Sequence, residues 1–148
     1  MAKKKTPELS PDFKAAFDNW MFKAQALVDQ YWSDNKYTHA QSPLLQSRIG
    51  GRFMIVTAHD RANDGTVAES GRAFAFVDIT GGPILGLDHA AGSVLKPASF
   101  RQPAKIARGN IFDEKNGMGT MTARPRISSV KYHEESPLYG EIFLFLFR

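Results

Sequence analysis

Between Phe13 and Tyr31 the apolar residues fall at Phe13, Phe17, Trp20, Met21, Ala24, Leu27, Val28 and Tyr31, offsets of 0, 4, 7, 8, 11, 14, 15 and 18. Recurrence every three or four residues marks one face of a helix, here about six turns long. Lys14, Asp18, Gln25 and Asp29 fall off that stripe. Ser10-Pro11 supplies the start: a good N-cap, then proline at the first helical position, with Asp12 in the first turn. Ser33-Asp34-Asn35 favours a turn and ends the helix. A stripe rich in aromatic residues predicts core packing against a sheet.

Beyond the helix the pattern changes period. Residues 34–51 read as polar and irregular, with Leu44-Leu45 tucked inward. Gly50-Gly51 introduces a first strand over 52–58, and Asn63-Asp64-Gly65 carries an Asp-Gly turn signature. A second strand spans 71–79, with Phe74 and Phe76 on one face and Ala73, Ala75, Val77 and Ile79 on the other. Thr80-Gly81-Gly82-Pro83 turns the chain, and 84–87 and 93–96 are short strands separated by Asp88-His89-Ala90-Ala91-Gly92. Strands joined this tightly make an antiparallel meander. A short helix is predicted over about 103–108, with Gly109 as its left-handed stop. Pro125 breaks any long element in the weakly patterned 120–139, and Glu141 leads into a strongly apolar strand over 142–147.

Composition adds limits. The chain has 148 residues, 43% of them apolar, with 11 Phe, 4 Tyr and 2 Trp. That is enough for one folded core and rules out a wholly disordered chain. The reading is therefore a basic arm over 1–9 and a single α+β domain over 10–148. No apolar run approaches the roughly 20 residues of a membrane span, and Lys3-Lys4-Lys5 precedes no apolar segment of a secretion signal. Cysteine is absent, which removes disulfides, thiolate metal ligands and a thiol nucleophile. The net charge of +4 is uneven: residues 94–132 carry eight Lys/Arg against two Asp/Glu, and no acid lies between Asp88 and Asp113. Such a segment reads either as a solvated face or as a phosphate-facing surface. The Lys3-Lys4-Lys5 arm is either a solubilising tail or a tracker of phosphates.

Catalytic arrangements are hard to assemble. The histidines, His39, His59, His89 and His133, form no metal-ligand spacing, and His59-Asp60 would point to opposite faces of a strand. No nucleotide-loop or nucleophile-elbow motif occurs. The best local signal is the stretch from Leu95 to Phe112. Pro97 and Pro103 restrict the loop, and a helix starting near Pro103 would offer N–H groups to an anion. Lys105 and Arg108 would share a face of that helix, Lys96, Ser99 and Arg101 converge from the loop, Phe100 stacks on a base, and Asn110 completes the set. The competing reading is a strand-to-helix corner with solvated cations.

The run Val94-Leu-Lys-Pro-Ala-Ser-Phe-Arg-Gln-Pro-Ala-Lys-Ile-Ala-Arg-Gly-Asn-Ile-Phe-Asp113 resembles a block found in small tailed-bacteriophage proteins, where a strand like Ala75-Phe76-Val77-Asp78 leads through a glycine turn into it. The resemblance covers roughly residues 52–113. Ile84–Ala91 looks like an insertion, and Leu138-Tyr139-Gly140 is similar to the short tail of such proteins, with the Phe-rich end extra. It implies a viral origin and action in the cytoplasm of an infected bacterium or in the virion, and it brings no catalytic assignment. The expected protein is thus a non-enzymatic accessory factor, without metal or cofactor, that binds nucleic acid or a nucleotide through Lys96, Ser99, Phe100, Arg101, Lys105, Arg108 and Asn110. The alternatives are a virion structural or assembly protein, self-associating through 142–147, and a small metal-dependent hydrolase or nuclease using Asp78 or Asp88.

Overall fold

A computed structural model describes residues 7–119. Most of the basic arm and the expected strand over 142–147, with the Leu138-Tyr139-Gly140 tail, lie outside the described residues. The chain there is α+β: one helix, α1 (Pro11–Asp34), then strands β1 (Gln41–Gly50), β2 (Phe53–Arg61), β3 (Arg72–Asp78), β4 (Gly82–Ile84), β5 (Leu87–His89), β6 (Ser93–Pro97) and β7 (Pro103–Asn110). Among the described residues, five strands form an antiparallel sheet in the order β1-β2-β3-β6-β7, and β4-β5 is a separate hairpin.

Both ends of α1 are built from specific bonds. The Ser10 hydroxyl accepts from the Phe13 N–H at 3.1 Å, and Pro11 opens the first turn. At the other end Lys36 adopts φ +56°, its N–H donates to the Ser33 carbonyl, and the Tyr37 N–H donates to the Trp32 carbonyl. That pair of bonds is the Schellman arrangement, and the Trp32 and Tyr37 rings, 4.7 Å apart, supply its apolar contact. The helix buries Phe13, Phe17, Trp20, Ala24, Val28, Tyr31 and Trp32. Phe13, Phe17, Trp20, Ala24 and Val28 pack with Leu45, Met54, Val56, Ala58, Phe74, Ala75, Val77, Val94 and Ile111 on one face of the sheet.

Three expectations about strands are corrected. Residues 41–50 are not irregular but form β1, paired with β2 along its length. Only Leu45 and Ile49 of its apolar residues pack into the helix-side core, and the polar alternation hides the strand. Phe74 and Phe76 do not share a face. The register slips between Val56 and Thr57, leaving Phe74 as an extra residue in β3. This bulge turns Phe74 toward Trp20, ring centroids 6.4 Å apart, while Phe76 joins Ile55 and Leu95 on the far face. Finally, 84–87 is the turn of a hairpin rather than a strand: Leu85 and Gly86 hold φ of +49° and +86° between paired Ile84 and Leu87. The hairpin is latched to the sheet by Arg52, which donates to the Asp78 carboxylate at 2.7 Å and to the Gly82 and Pro83 carbonyls.

The helix predicted over 103–108 is also absent. Those residues are the first part of β7, paired with β6 from Pro97–Pro103 to Ser93–Asn110. Five residues between a proline and a glycine are too few to nucleate a helix, and β6 offers a ladder. Gly109 is no left-handed stop: a Cβ on it would lie 3.2 Å from the Gly117 carbonyl oxygen, so it serves close packing.

Candidate functional site

The far face of the sheet carries the candidate site. Along β1 and β2 that face presents the cross-strand pairs Leu44–His59, Gln46–Thr57 and Arg48–Ile55. At the Phe53 end the β4-β5 hairpin covers it through Ile84. At the other end it stays open, and the β6-β7 loop reaches across it.

That loop is tight. Pro97 and Pro103 oppose each other at its mouth, and the Gln102 carbonyl accepts from the Ala98 and Ser99 N–H groups at 2.9 and 3.1 Å. The Ser99 hydroxyl accepts from the Arg101 and Gln102 N–H groups at 3.3 and 3.1 Å. Ser99 therefore holds the loop in shape through its oxygen, and its O–H remains a donor at the exposed tip. Phe100 at the tip is 49% exposed. It lies between two concavities and lines both. One, about 350 Å³, is walled by Gln46, Ser47, Arg48, Thr57, His59, Glu69, Ser70 and Gly71. The other, about 300 Å³, is walled by Gly71, Arg72, Ala73, Pro97, Ala98 and Ser99.

The floor of the larger cavity is a fixed imidazole. His59 is 7% exposed; its Nδ1 lies 2.9 Å from the Ala68 carbonyl and its Nε2 2.8 Å from the Thr57 hydroxyl. A carbonyl only accepts, so Nδ1 carries the proton, and in the neutral ring Nε2 accepts from Thr57. Both nitrogens are engaged, which fixes the ring in one orientation at the base of the cavity. Gly71 completes it: a Cβ there would stand 2.5 Å from Nε2.

The structure brings some predicted residues together and separates others. Phe100 and Arg101 sit at the loop tip, and Lys105, further along β7, is also exposed. Among the described residues Arg101, Lys105 and Arg48 form no ion pair. Lys96 and Arg108 are half-buried. Lys105 and Arg108 do not share a helical face, because β7 is a strand and Arg108 falls where its register slips. With no helix at Pro103, the expected anion site of its N-terminus disappears too. Asn110, at the far end of β7, donates to the Ala91 carbonyl and accepts from the Phe112 N–H, both 2.8–2.9 Å, and is a loop clamp. Asp78 is fully buried, with one oxygen on Arg52 and the other accepting from the Gly81 N–H at 2.9 Å. Among the described residues no cluster of three His, Asp or Glu is arranged to hold a metal.

Sequence reading missed Gln46, Arg48, Glu69 and Gly71 as cavity residues. The sole signal for the first two was the alternation of Gln46 and Arg48 with Leu45 and Ile49. No described helix is long and apolar enough to cross a membrane. No family model, curated protein or solved structure matches the chain.

Proposed function

We propose that this protein is a non-enzymatic bacteriophage accessory protein that binds single-stranded nucleic acid at the β6-β7 tip and the open sheet face beside it. One observation carries the reading: Phe100 is half-exposed on a stiffened loop, next to Arg101 and between two concavities. An aromatic ring held in this way stacks on unpaired bases, and neighbouring cations follow the backbone. Arg48 lines the larger cavity beside Phe100, Arg101 follows Phe100 at the tip and Lys105 is exposed on β7; cations spread over separate elements in this way favour a strand over a free nucleotide. The phage setting, with action in the infected host's cytoplasm, rests on the resemblance of the Val94–Asp113 block.

Fluorescence anisotropy of a labelled twelve-nucleotide thymidine oligomer tests the reading. Losing one base–aromatic stack costs about 1–3 kcal/mol. Phe100→Ala is expected to weaken binding by about 5- to 150-fold, and Phe100→Trp to retain it. Equal affinities for wild type and Phe100→Ala would contradict the assignment.

A further inference from the structure

We propose that the larger cavity beside Phe100 takes one guanine base, read through its Watson–Crick edge by Glu69. The inference rests on the single-stranded nucleic-acid reading and adds a base preference to it. At about 350 Å³ the cavity is at the small end of ligand pockets, which run from roughly 300 to 1,000 Å³. It has room for a single base against the Phe100 ring.

The polar lining selects the base. Glu69 is exposed, and among the described residues its carboxylate makes no ion pair or hydrogen bond, so both oxygens are open acceptors. On a surface that binds phosphates a carboxylate repels the ligand unless a donor meets it. Guanine is the base with two adjacent N–H donors, at N1 and N2, matching two carboxylate oxygens side by side. Its O6 and N7 are acceptors, and the cavity supplies donors in the Gln46 amide and the Arg48 guanidinium. The segment carrying Glu69 is held in place. The Ala68 N–H donates to the Asp60 carbonyl at 2.8 Å, the Ala68 carbonyl accepts from His59, and Val67 bridges to Arg61. His59 is thus a positioning residue for Glu69.

Three eleven-nucleotide thymidine oligomers test this: one unmodified, one with a single central guanine, and one with hypoxanthine there, which lacks only the 2-amino group. Wild type is expected to prefer guanine over hypoxanthine by about fivefold or more, the low end of base discrimination by a paired contact. Glu69→Ala is expected to weaken binding of the guanine oligomer while strengthening that of the all-thymidine one, because a repulsive charge is gone. Electrostatics alone would strengthen both together. That parallel rise, or wild-type binding with no preference for guanine, overturns the base pocket and leaves the strand-binding reading intact. Failure to bind any of the three oligomers at low salt overturns both.

Discussion

Gly71 shows how far a single residue shapes this surface. Its missing side chain leaves room for the His59 ring, and the ring ties down the chain at Ala68. A methyl group at 71 must displace the imidazole from Thr57 or shift the strand end. Overpacking of this kind costs roughly 1–3 kcal/mol. Gly71→Ala is expected to lose about that much in urea unfolding, and a variant as stable as wild type would mean that the ring moves freely. None of this is legible in the sequence, because a steric glycine and a turn glycine look alike there. The opposite holds for Phe17 and Trp20, whose burial follows from their place on the helical stripe. Phe74 lies between these cases: its apolar character marks it as core, but the bulge that chooses its face depends on pairing with β2.

Among the elements, α1 is readable because its signals are local: an N-cap, a proline, a stripe and a polar stop. Just past its C-terminus, Lys36 bears a steric cost for φ +56°, a conformation glycine adopts freely. Lys36→Gly is expected to raise stability by roughly 0.5–1 kcal/mol, read as a higher thermal midpoint; a lower one would show that the lysine side chain matters more than its backbone. The strands β1 and β7 are not readable, since each is polar or Ala-rich and owes its form to a neighbour. The turn after β7 offers a further test. The Asp113 carboxylate accepts from the Gly117, Lys115 and Asn110 N–H groups. Burial pushes its pKa up, but those bonds and the Lys115 charge outweigh burial and hold it below the ordinary 3.8. A lowered pKa means stabilisation that is complete above the unfolded value and is lost as pH falls through the folded one. Asp113→Ala is therefore expected to be less stable than wild type at pH 7, with the gap narrowing on acidification below about pH 4. A gap that widens in acid would contradict this account of the turn.

For the whole molecule, fold class and the position of the basic segment are both legible in the sequence, but the shape of the site is not. Local patterns place the cations on a loop and a short helix. In the structure the same stretch is a proline-closed hairpin whose tip overhangs the open face, so Arg48 and Gln46 from β1 meet Phe100 from the β6-β7 connection. Such long-range juxtaposition follows from strand order, which no local pattern encodes. In the proposed function the overhanging tip and its exposed cations together form the binding surface. The most direct test is the salt dependence of affinity for a single-stranded thymidine oligomer, compared between wild type and Arg101→Ala/Lys105→Ala. Removing one cation that neutralises a phosphate of a single strand lowers the slope of log K against log salt by about 0.7. The account predicts steep salt dependence for wild type and a slope shallower by about 1.4 for the double variant; identical slopes, or wild-type affinity that ignores salt, would contradict it.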